Sequence, residues 1–154
     1  MKRKVTFSIM VFLITGLLAA NLPADSNDDD MAAITDVIKK SYFNGASNAL
    51  DTKSMREGFH PDFAIYFFHD GSNYKRYPID AWIANTEKWK ASPEFDPEKS
   101  KADFKIVSID VTGACASTKI EMRGNGKLLW TDYLSLLRFE NGWKIVAKVA
   151  HKHE

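Results

Sequence analysis

The strongest constraint in this sequence is a change of hydrophobic period partway along the chain. Ile34, Val37, Ile38, Ser41, Tyr42, Gly45, Ala46 and Ala49 recur at three-and-four spacing, which predicts an amphipathic helix over about Met31–Leu50. Gly45 either weakens that helix or lets a neighbour approach closely. From Ala102 onward the period is two: Phe104, Ile106 and Ser108 alternate with Lys105, Val107 and Ile109. Ala116, Thr118, Ile120 and Met122 then alternate with Ser117, Lys119, Glu121 and Arg123. Thr112-Gly113, Gly124-Asn125-Gly126 and Glu140-Asn141-Gly142 are turn signals. They divide this half into four consecutive strands, the last three over Ala114–Arg123, Leu128–Phe139 and Trp143–Ala150. Between the two regimes lie a short helix over Thr52–Gly58, ended by His60-Pro61, and a hairpin of Phe63–Phe68 with Tyr74–Tyr77. A helix opened by Pro78 follows, presenting Ile79, Trp82, Ile83, Thr86 and Trp89. Ser92–Lys101 reads as a loop. Helices first and a meander last predicts an α+β domain. Three N-terminal helices would pack on a strongly curved antiparallel sheet, giving a cone-shaped α+β barrel whose open end is a natural pocket.

Lys2, Arg3 and Lys4, the apolar stretch Val5–Ala20 and the small residues Ala19, Ala20 and Ala24 have the layout of a secretory signal peptide. The expected organisation is a leader over 1–24, an acidic linker over 25–30 and one domain over 31–154. It places the protein in a secreted or periplasmic location and allows membrane attachment only through an uncleaved leader. Three of the 21 basic residues and none of the 20 acidic ones lie in the leader, so the remainder carries a small net negative charge. That argues against nucleic acid as a partner. One cysteine, Cys115, excludes an intramolecular disulfide framework and a four-cysteine zinc site. The tail His151-Lys152-His153 is a weak metal signal without a partner cluster, and neither metal nor cofactor is expected.

Phe59-His60-Pro61-Asp62-Phe63, Ile109-Asp110-Val111-Thr112-Gly113, Thr131–Leu137, Trp143–Val146 and Lys148-Val149 carry a family resemblance. Together with the element order, they make residues 31–151 resemble the nuclear transport factor 2-like superfamily, and within it the lumazine-binding branch, alongside SnoaL-like and ketosteroid isomerase-like domains. As a binding module, the cone-shaped domain is expected to form a homodimer through its sheet. The superfamily holds isomerases, cyclases, dehydratases, hydrolases and proteins without chemistry, so fold does not fix activity. The isomerase pattern asks for an Asp base at the end of the first strand, a helix-one Tyr and a late-strand carboxylic acid. Its positions fall on Phe68, Tyr42 and Ser135. Two of these three depart from the pattern.

Strand alternation puts Thr131, Tyr133, Ser135 and Leu137 on one face, and the Ser135 match assigns that face to the cavity. Trp143, Ile145, Ala147 and Val149 form the apolar side of the last strand. The expected ligand-binding residues are Tyr42, Tyr66, Phe68, Trp82, Trp89, Tyr133, Ser135 and Trp143. Such a wall suits a small hydrophobic or aromatic ligand, although aromatics at this spacing also simply fill cores. His69 and Asp70 are the candidate catalytic pair if the chain turns there, and otherwise a solvated turn. His60, before Pro61, reads as structural. Asp132 and Lys148 read as an ion pair on the outer sheet face or at a dimer contact. Three functions remain open: an exported, non-catalytic small-molecule binder, an isomerase-, cyclase- or dehydratase-type enzyme, and an interaction module with a filled cavity.

Overall fold

The computed structural model describes residues 27–154. The leader expected over 1–24 and the first two residues of the expected linker lie outside the described residues. The other four, 27–30, are not a linker but the first turn of a helix, where the carboxylates of Asp28, Asp29 and Asp30 face the positive end of its dipole. Helix α1 runs over Asn27–Val37 and continues without a break as a π-helical segment over Ile38–Asn48. Helix α2 (Thr52–Gly58) is capped by the Asp51 carboxylate, which accepts from the backbone N–H groups of Lys53 and Ser54. Strands β1 (Phe59–Asp70) and β2 (Asn73–Pro78), helix α3 (Ile79–Lys90), and strands β3 (Asp103–Thr112), β4 (Cys115–Gly124), β5 (Lys127–Phe139) and β6 (Gly142–Lys152) follow. Pro78 caps α3 from an extended conformation instead of sitting inside it.

The six strands form one open sheet in the order β2-β1-β6-β5-β4-β3. All neighbours are antiparallel except β1 and β6, which run parallel. The sheet is therefore mixed, where the sequence reading had it antiparallel. The three helices pack on one face. Ile34 and Ile38 of the first helix, Met55 of α2 and Ile83 of α3 are buried with Phe63, Ile120, Leu134, Leu136 and Ile145 from the sheet. Helix α2 crosses the first helix so closely that a Cβ on Gly58 would lie 2.0 Å from Ser41 Oγ. Gly45 has a similar if looser role, with Met55 Cγ 3.1 Å from where its Cβ would be. The loop after α3 is tied back by Asn48, which bonds both the N–H and the carbonyl of Ala102.

Each pair of neighbouring strands carries one irregularity in register, and three of these, in β3, β6 and β5, bend the sheet and rotate side chains between its faces. In β3, Ile106 pairs Ile120 but Ser108 pairs Lys119, so Val107 is an extra residue. Phe104 and Ile106 face inward before it, and Ile109 and Val111 after it. In β6, Ile145 pairs Leu136 but Ala147 pairs Ser135, which leaves Val146 unmatched. Trp143 and Ile145 are buried ahead of that bulge; beyond it Lys148 is buried and Val149 is 55% exposed. The apolar side expected for an unbroken last strand is thus split by the bulge. The third shift lies between Met122 and Arg123, at the start of β5.

Candidate functional site

A cavity of about 260 Å³ opens between the helices and the concave sheet face. The π-helical segment supplies Tyr42, Ala46 and Ser47, and β1 supplies Ile65 and Phe67. Tyr77, Trp82, Phe104, Met122 and Trp130 extend the wall, and Lys148 is its cationic side chain. The walls are mostly ring and aliphatic carbon. Phe43 stacks on Phe104 at 4.2 Å, Tyr42 meets Phe104 and Trp82 edge-on at 5.6 and 6.1 Å, and Trp82 meets Phe59 at 5.5 Å. The interlock holds each ring in one orientation.

At one end of the cavity three polar side chains meet. Tyr42 donates its hydroxyl hydrogen to Asp132 Oδ2. Lys148 Nζ donates to the Tyr42 hydroxyl oxygen at 3.0 Å and lies 3.5 Å from Asp132 Oδ1. Asp132 is 1% exposed and stands behind the other two, outside the cavity wall. Its Oδ1 has no hydrogen-bond partner among the described residues, only the charge of Lys148. The Lys148 ammonium also sits over two ring faces, 4.8 Å from the Tyr42 centroid and 5.2 Å from that of Trp82. Burial pushes the Lys148 ammonium below its ordinary range, against the pull of the Asp132 carboxylate. Burial pushes the Tyr42 hydroxyl well up, and the adjacent Asp132 carboxylate adds to that. Tyr42 therefore remains a hydrogen-bond donor at neutral pH. A buried ion pair is costly to desolvate and is weak evidence for stability, which makes its position at a cavity wall more informative.

Asp132 and Lys148, expected as an ion pair on the outer sheet face or at a dimer contact, are both inside. On β5 the inward set is Trp130, Asp132, Leu134 and Leu136, while Tyr133 is 53% exposed and Ser135 faces outward as well. Burial of two leucines and a tryptophan outweighs exposure of Thr131, Tyr133 and Ser135, so the strand takes that orientation. On β1 the cavity takes Ile65 and Phe67; Tyr66 lies on the other face against Tyr74, and Phe68 is 78% exposed. Trp89 is 43% exposed and packs on Phe95 away from the cavity. Trp143 is buried at the far end of the core, where its indole N–H donates to Asp30 Oδ1 at 2.9 Å beside the Asp30–Arg138 pair. Of the eight expected ligand-binding residues, the structure brings Tyr42 and Trp82 to the cavity.

His69 and Asp70 are the exposed last residues of β1, next to the Gly71-Ser72 turn. Asp70 accepts from the Ser72 backbone and the Asn73 amide, and those bonds hold its carboxyl below the usual range, which makes it a poor base. His60 stacks on Phe139 at 5.0 Å and accepts from the Asp62 N–H, a structural arrangement. No cluster of three or more metal-ligating side chains occurs among the described residues.

Known proteins share this fold and part of this sequence. Residues 29–151 match the family model described as "Putative lumazine-binding". Aldolase FrzH from a Cladobotryum species is 31% identical over 102 residues, covering 66% of this chain and 76% of that protein. A solved NTF2-like protein of unknown function from Shewanella baltica is 26% identical with a TM-score of 0.68, over 84% of this chain and 98% of that one. A second, from Silicibacter pomeroyi, is 25% identical with a TM-score of 0.63, over 82% and 98%. With the open curved sheet, the three covering helices and these matches, the chain belongs to the lumazine-binding family of the NTF2-like superfamily.

Proposed function

We propose that this domain binds a small, flat, largely apolar molecule that presents a carbonyl or similar acceptor oxygen to Lys148 and Tyr42. The observation that carries the reading is the union of an aromatic-walled cavity of about 260 Å³ with one buried polar cluster at its wall. That volume is at the lower end for small-molecule sites, so the ligand is nearer one or two rings than a large cofactor. The rings supply stacking area, and the ammonium supplies one strong, oriented donor. A thermal-shift and native mass-spectrometry screen of planar aromatic ketones tests it. Binding should be lost in Ala46→Trp, which fills the cavity from its helical wall. Equal binding by that variant would place the ligand elsewhere.

A second reading is catalytic, and two observations favour it. A relative 31% identical is named an aldolase. Tyr42 and Asp132 also supply the helix-one Tyr and late-strand carboxyl of the isomerase pattern, with the acid three residues before Ser135. Such a pair stabilises charge developing on a carbonyl oxygen. The first-strand base of that pattern has no counterpart at Phe68, and the amine at the cavity wall is Lys148. His69 and Asp70 have no part in this reading.

Export and self-association complete the proposal. The leader-like segment Lys2–Ala24 supports a secreted or periplasmic location, which N-terminal sequencing of the native protein would test. The outer sheet face exposes Tyr133, Val149 and Leu137 and would serve a homodimer, to be tested by sedimentation equilibrium.

A further inference from the structure

We infer that Lys148 is a covalent attachment point, its Nζ condensing with the carbonyl carbon of an aldehyde or ketone ligand to form an iminium. This deepens the reading of the cavity as a carbonyl-binding site and rests on it. Three features of the geometry lead there. Lys148 lines the cavity while its side chain is 9% exposed, so its amine meets a ligand and little bulk water. The amine is held at the wall of an aromatic and aliphatic cavity, away from bulk water, and that desolvation favours the neutral, nucleophilic form against the pull of the ring faces and of Asp132. Asp132 Oδ1, 3.5 Å from Nζ, has no hydrogen-bond partner among the described residues and can receive the proton that the amine must shed. The Val146 bulge positions all of this, because it turns Lys148 inward on a strand that would otherwise point it to solvent.

The step balances within the cluster. The Lys148 ammonium gives one proton to the Asp132 carboxylate, and the freed amine adds its lone pair to the carbonyl carbon. The carbonyl π bond opens onto oxygen, which collects a second nitrogen proton to give the carbinolamine. Asp132 returns its proton through the Tyr42 hydroxyl to the carbinolamine oxygen, the carbon–oxygen bond breaks, and water leaves. An ammonium, a carboxylate and a carbonyl compound thus become an iminium, a carboxylate and one water, with no external acid or base. An iminium makes the neighbouring carbon acidic, which is the chemistry an aldol-type reaction needs in the absence of a first-strand base.

Reductive trapping tests the inference. The purified chain is incubated at neutral pH with benzaldehyde or phenylacetone and sodium cyanoborohydride, and the adducts are mapped by peptide mass spectrometry. Lys148 should be modified at least about tenfold faster than the exposed Lys53 and Lys99, whose side chains are 86% and 85% accessible. Lys148→Arg, which keeps a cation beside Asp132 and is checked for folding by its thermal melt, should lose that fast adduct. Tyr42→Phe should slow it. Adducts confined to exposed lysines, with the same probe still raising the melting temperature, would overturn the covalent step and leave the binding site standing. No adduct at Lys148 and no thermal shift with any probe would overturn both.

Discussion

If Asp132, Lys148 and Tyr42 form one buried cluster, a double-mutant cycle on Asp132→Asn and Lys148→Met should be strongly non-additive. Asp132 is 1% exposed, the Lys148 side chain is 9% exposed, and their charged atoms are 3.5 Å apart. Removing one partner of such a pair leaves the other charge buried and uncompensated, at a cost of about 3–5 kcal/mol. Asparagine keeps an acceptor for the Tyr42 hydroxyl, so Asp132→Asn falls at the lower end, about 3 kcal/mol. Lys148→Met keeps the aliphatic length and relieves the desolvation that depresses this ammonium, so about 2 kcal/mol is expected. The double variant holds no net charge in the cluster and should cost only about 2 kcal/mol in total, a coupling of roughly 3 kcal/mol. Urea denaturation at neutral pH reads this from the midpoints, provided the slope m is unchanged. Additivity to within about 0.5 kcal/mol would refute the argument, because residues in one network do not behave as distant sites.

Gly58→Ala should destabilise by about 2 kcal/mol or more, since its Cβ would lie 2.0 Å from Ser41 Oγ and 2.4 Å from Ser41 Cβ. Adding Ser41→Gly should recover most of the thermal midpoint; no recovery would mean the contact is not the cause. The pH dependence has two parts. Burial holds the folded Lys148 pKa below the ordinary 10.5, so the unfolded chain binds more protons between those values and this residue's contribution rises with pH through that window. Tyr42 is held above 10.0, so its contribution is fully present below that pH and is lost above it. Melting curves from about pH 8 to about pH 11 should therefore move wild type upward relative to Lys148→Met, and, above 10.0, downward relative to Tyr42→Phe. Flat differences would contradict both shifts. His69→Ala and Asp70→Ala should leave ketone binding within about twofold of wild type, because both residues lie at the exposed tip of the β1–β2 hairpin. A loss of about tenfold would restore that tip as the site.

Most of the architecture was legible because it rests on local signals. The period change at Ala102 announced the sheet, Gly124-Asn125-Gly126 and Glu140-Asn141-Gly142 located two of its turns, and α2 was read at its observed bounds. Parallel pairing of β1 with β6 joins strands about eighty residues apart, and no local pattern encodes it. The site was less legible, for one physical reason: alternation fixes which residues share a face but not which face is buried. On β5 the residue counts held the answer, since Trp130, Leu134 and Leu136 outweigh Thr131, Tyr133, Ser135 and Leu137, and Asp132 travels inward with them. On β6 even that would have failed. The Val146 bulge changes parity midway, and only the pairing with β5 reveals it. Tyr42 was accessible from sequence because helical periodicity places it among Ile38, Gly45 and Ala46 on the buried side of the first helix.

The central claim is that the cavity recognises a carbonyl oxygen through Lys148 and Tyr42. It is tested most directly by calorimetric titration with a matched pair of ligands, an aromatic ketone and the hydrocarbon with a methylene group in place of its carbonyl. Wild type should favour the ketone by about 1.5–3 kcal/mol, roughly 10- to 150-fold in Kd, and Tyr42→Phe should give up a large part of that preference. Equal affinities for the two ligands in wild type would show the polar cluster to be a structural feature of the core, with no part in recognition.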